Sequence, residues 1–233
     1  MNPDFKQTGR IVGILLLAQA LIAIPVYTEI GMMSSVISPD FLTGAAGNAT
    51  EIRAALVLTF LLSGITLAVA LVAMPVFRAA SERMFWLYFG LSVAGLATTA
   101  IEGVVVREML AMSINYAQPG SAALFDALAP AARSEWSAAH FFNLASGHIK
   151  VLLFFLILYR FRFIPRPLAG VGVAATVLST AGTTAALLGI PFSYYTIAPT
   201  GLAQMAMTLW LIWKGFSVPI HSREKDQLQP IGT

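Results

Sequence analysis

The sequence predicts an all-α fold, a polytopic membrane helix bundle with six transmembrane helices and both termini cytoplasmic. Three observations carry that expectation. Hydrophobic residues make up 58% of the 233-residue chain and charged residues 11%, where soluble domains run at about 45–50% and about 25%. Apolar runs of spanning length take up nearly all of residues 1–233, so the chain reads as a single transmembrane domain with no room for a soluble one. Lysine and arginine, finally, gather at alternate ends of those runs.

The spans follow in order. The first, Ile11 to Ile30, carries Gln19 in its middle, Pro25 as a kink site and Glu29 at its far end. Lys6 and Arg10 ahead of an apolar run ending in Ala18-Gln19-Ala20 also fit a cleavable signal peptide over residues 1–20, but the run continues past Ala20 and a retained helix is simpler. Residues 31 to 52 form a connector with Pro39 and Asp40 as turn formers. Its Asn48-Ala49-Thr50 has the form of a glycosylation sequon, with nothing else to suggest a secretory route.

The second span, Ala54 to Phe77, returns through a tight Arg78 to Arg83 link into the third, Met84 to Val106, which carries Thr98, Thr99 and Glu102. The loop from Ser113 to Trp136 is the longest, and its AALFDALAPAARSEW stretch reads either as a short surface helix or as a plain loop. The fourth span is Ser137 to Arg160. The fifth, Leu168 to Ile190, is dense in small residues, with Gly170/Ala174 and Gly182/Ala186 at small-xxx-small spacing, and is expected to pack centrally. The sixth, Thr200 to Phe216, contains Gln204 and closes on Trp210, Trp213 and Lys214, an interfacial anchor; residues 217–233 are a polar tail.

One side of this arrangement collects Lys6, Arg10, Arg78, Arg83, Arg160, Arg162, Arg166, Lys214, Arg223 and Lys225. The other has only Arg53, Arg107 and Arg133. The basic side is cytoplasmic by the positive-inside rule, and an even number of spans is then required. The net charge of +3 is accounted for by topology rather than by nucleic acid. With no cysteine, disulfides, thiolate catalysis and iron–sulfur ligation are excluded together.

Two segments carry a resemblance. RFIPRPLAG, between spans four and five, and PTGLAQMAMTLWLIWKGF, at the end of span six, resemble a family of small prokaryotic six-span membrane proteins known as domain of unknown function 4386. The likeness runs over nearly the whole chain. It implies a multi-pass protein of the prokaryotic plasma membrane, whose surroundings are the lipid bilayer, and it implies no activity.

Chemistry has to come from polar residues at depth. In the fourth span His140, Asn143, Gly147 and Lys150 fall on one stripe of a helix, which must face protein or water. Counting from Arg160, Lys150 lies about 15 Å deep, near the midplane of a hydrocarbon core about 30 Å thick. Gln19 and Gln204 reach about the same depth from Arg10 and Lys214, at about 13 and 15 Å. A mid-membrane polar pocket is therefore expected, with Lys150, Gln19, Gln204, Asn143 and His148 as its ligand-binding candidates; Lys150 faces inward, and His148, which points to a different side of the helix from Lys150, reads alternatively as bonding a neighbouring helix. Glu29, Glu102 and His140 share a second level, about 28–30 Å from the basic ends, as an outer polar cluster.

Two function classes follow. The first binds, senses or transports a small amphipathic or anionic molecule in the intramembrane pocket, with Lys150 as its charged anchor. The second is a membrane-embedded enzyme acting on a lipid-like substrate near the outer face, using Glu29, Glu102 and His140. The residues specify no cofactor. No metal is expected, since a multi-histidine site needs more ligands than His140 and His148, His221 being in the tail. No Walker loop, GxSxG elbow, Rossmann fingerprint or nucleic-acid module is present.

Overall fold

Asp4 opens the first helix, its carboxylate accepting the Gln7 amide at 2.9 Å as an N-cap. The computed structural model describes residues 4–28 and 30–218 and is helical nearly throughout. In order the helices are α1 (Phe5–Tyr27), α2 (Ser34–Ile37), α3 (Phe41–Gly44), α4 (Ala49–Ala80), α5 (Glu82–Tyr116), α6 (Ala122–Phe161), α7 (Arg166–Leu187) and α8 (Ala198–Lys214). Five of them, α1, α4, α5, α6 and α7, are long and apolar enough to cross a membrane.

The long helices pack as a closed ring: α1 on α4, α4 on α5, α5 on α6, α6 on α7, α7 on α8, and α8 back on α1. Two close approaches show why α1 and α8 meet. A Cβ on Gly13 would lie 2.8 Å from the Ile212 nitrogen, and one on Gly9 would run into the Phe216 backbone. Expected to lie centrally, α7 is instead one wall of the ring. Its small residues serve both flanking elements: a Cβ on Gly172 would overlap the Phe155 ring of α6, and one on Gly182 would lie 3.0 Å from Thr196 of the connector to α8.

Several boundaries differ from the sequence expectation. The stretch before Ser137 is neither a loop nor a separate surface helix, because α6 runs unbroken over 40 residues from Ala122. Its alanine-rich start favours helix, Ala129 and Ala132 pack on the outer core, and Arg133 donates to the carbonyl oxygens of Ile37 and Ser38. Pro130 is tolerated inside it. The Arg78–Arg83 link shrinks to Ser81 alone, which caps α5 by accepting the Met84 amide at 3.4 Å. Residues 31–48 are not a plain connector but fold α2, α3 and a short 3-10 turn (Ala46–Asn48) over the ring's end.

Two apolar cores result. The inner one, at the end carrying Arg10, Arg83 and Arg160, centres on Phe77, which stacks on Phe163 at 5.9 Å and meets Phe154, Tyr88 and Phe216. The outer one joins Val26, Phe41, Ile52, Val106, Met109 and Trp136.

The two segments that resemble a known family meet at the inner end. Arg162 ends α6 in the left-handed region (φ 57°), and the Phe163 amide bonds back to Leu158 at 3.1 Å. That turn drops Phe163 and Ile164 into the core, fully buried, before Pro165 starts α7. Gly215, at φ 72°, turns the chain after α8 so that the Ser217 amide donates to Phe163 at 2.8 Å and the Phe216 amide to Phe5 at 3.3 Å.

The α6–α7 seam gives a direct test. Gly172→Ala should destabilise the protein by about 1–3 kcal/mol through overpacking against Phe155, read as a lower melting temperature in detergent. Gly170→Ala, whose Cβ would lie 3.7 Å from the Tyr159 ring, should leave it nearly unchanged.

Candidate functional site

Between the two apolar cores the ring interior turns polar. A cavity of about 600 Å³, counted with its open mouth, is lined by α1, α4, α5 and α6. Most of its hydroxyl groups are satisfied within their own helices. Thr66 donates to Leu62, Ser92 to Tyr88 and Thr99 to Gly95, at 3.1, 2.8 and 2.9 Å. Gln19 crosses from α1 to α4, its amide donating to Thr66 Oγ1 at 3.0 Å, and Tyr27 donates to Thr59 Oγ1 at 3.2 Å.

Lys150 is different. It lines the cavity from α6 together with Asn143 and Gly147. Its ammonium lies beside Gly95 of α5, where a Cβ would be 4.0 Å from Nζ. Among the described residues no carboxylate pairs with it and no hydrogen bond satisfies it.

At the outer end of the cavity α5 and α6 join through one carboxylate. Buried Glu102 accepts from His140 Nδ1 at 2.8 Å with one oxygen and from Asn143 Nδ2 at 2.7 Å with the other. That fixes both partners. The Asn143 carbonyl oxygen is left to accept from Thr98 at 2.7 Å, and in the neutral imidazole His140 Nε2 is left as the acceptor for Tyr194 Oη at 3.2 Å.

The Trp136 ring stacks on His140 at 5.0 Å, and its buried indole N–H has no partner among the described residues. Tyr194 comes from the connector between α7 and α8, held edge-on by Phe192 at 5.1 Å. Partial desolvation and the Glu102 charge raise its phenol above the ordinary value, so it remains a donor at neutral pH.

The residues singled out in the sequence thus fall into three groups. Lys150, Gln19 and Asn143 share the cavity; Glu102 and His140 touch, with Asn143 linking them to it. His148 faces α7, where it meets Thr183 at 3.4 Å, and Gln204 is half-buried on α8 away from the cavity wall. Glu29 lies outside the described residues. Tyr194 and Trp136 are the additions, and neither carries a sequence signal beyond an aromatic ring near a helix end. No group of three or more His, Asp and Glu placed to hold a metal occurs among the described residues.

Helices of spanning length closed around a polar interior define a helical integral membrane protein. The model of the family Domain of unknown function (DUF4386) matches residues 11–215, and the chain belongs to that family. No curated protein and no solved structure matches it.

Asn143 is the joint between cluster and cavity, and its removal should be costly. Asn143→Ala leaves a Glu102 oxygen unpaired at a buried seam, while the Thr98 hydroxyl keeps its bond to the Gly95 carbonyl, so a loss of about 1–3 kcal/mol is expected. Thermal unfolding in detergent reads it, with Ser63→Ala, whose hydroxyl bonds only its own helix at 3.4 Å, as the control.

Proposed function

We propose that this protein binds, senses or transports a small amphipathic or anionic molecule held in the cavity between α1, α4, α5 and α6. The observation that carries the reading is Lys150, a cation on the wall of an intramembrane cavity with no counter-ion among the described residues. Even on the lower scales a charged side chain at the membrane centre costs about 2.5–3.5 kcal/mol. A residue that only packs gains nothing from such a charge, whereas an anionic ligand would offset it. Gln19 and Asn143 offer hydrogen bonds on the same wall. His148 and Gln204 stand off the wall and have no part in this reading.

Lys150→Met should leave the protein folded and equally or more heat-stable, while native mass spectrometry shows the loss of a co-purifying anion that the unaltered protein retains. An unchanged set of co-purifying molecules would count against the cavity as the binding site.

The 2.8 Å Glu102–His140 contact favours a second reading, a membrane-embedded enzyme acting on a lipid-like substrate near the outer face. The carboxylate would orient His140 as a general base, and substrate would have to replace Tyr194 at Nε2. Hydrolysis of a fluorogenic phospholipid by the reconstituted protein, lost in His140→Asn, would support it over simple binding.

The topology belongs to the same proposal. We infer six crossings of a prokaryotic plasma membrane by one domain, with α8 as the sixth. At 17 residues α8 is about 25 Å long, but it fills the gap between α7 and α1 and so shares their depth. Its inner end carries Lys214 above Trp213 at 4.1 Å, an interfacial pair. Both termini are then cytoplasmic. In a chain with no native cysteine, Gly120→Cys should react with a membrane-impermeant maleimide added to whole cells and Ser222→Cys should not. The reverse pattern would invert the orientation.

A further inference from the structure

The hydrogen bonds around Glu102 form one unbroken path. It starts at Tyr194 on the outer rim, passes through His140 and Glu102, and reaches Asn143, whose side chain lines the cavity that holds Lys150. We propose that this chain is a proton-binding relay, and that the protein takes up one proton at the Glu102–His140 pair when an anion enters the Lys150 cavity. The proposal rests on the cavity being an anion site and adds the proton that accompanies the anion.

Charge balance in a low dielectric carries the inference. Among the described residues, the charged or titratable groups facing the cavity and its outer end are few. Lys150 and His140 come from α6, Glu102 from α5, Tyr27 from α1 and Tyr194 from the α7–α8 connector. The cavity wall of α4 has hydroxyls only, and its Glu51 and Arg53 are exposed at the outer end. The charges of α7 and α8, Arg166 and Lys214, sit at the inner end. His148 is turned towards Thr183. With Lys150 charged, Glu102 ionised and His140 neutral, the interior sums to zero. An entering monoanion makes it minus one, and an uncompensated charge there costs several kcal/mol. One proton restores neutrality.

The geometry says where that proton goes. The ionised Glu102 accepts from His140 Nδ1–H, so His140 Nε2 holds a lone pair and accepts from the Tyr194 hydroxyl at 3.2 Å. A proton arriving from the outer face binds Nε2, and the Tyr194 hydroxyl turns from donor to acceptor. The Nδ1 proton can then pass over 2.8 Å to Glu102 Oε1, leaving a neutral acid beside a neutral imidazole in the opposite tautomer. One proton is gained, no covalent bond between heavy atoms changes, and Asn143 Nδ2 stays on Oε2 throughout.

Hexanoate serves as the probe, titrated calorimetrically into protein in nanodiscs, with empty nanodiscs as the blank. Running the titration in two buffers of different ionisation enthalpy gives the protons taken up per bound anion. About one is expected for the unaltered protein and none for Glu102→Gln, which keeps the shape of the carboxyl group. Tyr194→Phe, at the exposed rim, should keep the stoichiometry and slow the uptake in stopped flow. Hexanoate binding with no proton uptake overturns this inference and leaves the binding function standing; no binding above the blank overturns both. Uptake that persists in Glu102→Gln shows that the carboxylate is not the proton's destination and also overturns it. Should Glu102→Gln fail to fold, infrared difference spectra of the unaltered protein decide: a protonated carboxyl band must appear on hexanoate addition, and its absence, with no new imidazolium signal, overturns the relay.

Discussion

An ammonium without a counter-ion, held between two slabs of hydrocarbon side chains, is the constraint on which the interior depends. Water cannot flood the site from the inner end, where Phe77, Phe154, Phe163 and Phe216 close ring upon ring. At the outer end Val36 of α2 and Phe41 of α3 pack with Val26 and Met109 in the outer core. Between them the threonines and serines of α4 and α5 return their hydrogen bonds to their own helices. They line a polar space without pairing with the Lys150 ammonium. In the proposed binding role a direct internal salt bridge would be a disadvantage, because it would satisfy Lys150 permanently.

Closure of the ring depends on a different contact. Segments some fifty residues apart in sequence, the turn after α6 and the turn after α8, are joined by the Ser217–Phe163 hydrogen bond and by the Phe163–Phe216 ring contact at 5.5 Å. Gly215 is required there on two counts: its φ of 72° and the lack of room for a Cβ against the Lys6 backbone. The two segments singled out for their resemblance to the family are therefore explained by architecture: their turns hold α1, α6, α7 and α8 together at one end.

Much of this was legible in the sequence, for reasons that also mark its limits. Apolar runs and basic residues announce helices and their ends, and a 3.6-residue period puts Asn143, Gly147 and Lys150 on one stripe, so the α6 wall of the cavity could be read directly. Depth counting placed Glu102 and His140 at one level, and they do touch. Depth says nothing about azimuth, however. Gln19 and Gln204 have nearly the same depth, yet only Gln19 points into the cavity, because α8 packs between α7 and α1 and turns Gln204 aside. Small residues on α7 gave no sign of whether one neighbour or several would use them. The outer extension of α6 was obscured by Pro130, which signals a break in isolation but is overridden here by Arg133 and the alanines around it.

The two apolar ends of the bundle differ in how they are fastened. The inner one is made of spanning helices locked by aromatic rings and backbone hydrogen bonds, so opening it means rearranging the bundle. The outer one is roofed by two helices of four residues each, tied down by a few side-chain bonds: Ser113 to the Leu42 carbonyl and the Ala46 amide, and Arg133 to Ile37 and Ser38. Such a roof moves as a loop does, on the nanosecond-to-microsecond scale, while bundle rearrangements take microseconds to milliseconds. In the proposed binding role, exchange of a ligand at the outer end would therefore be faster than any exchange at the inner end.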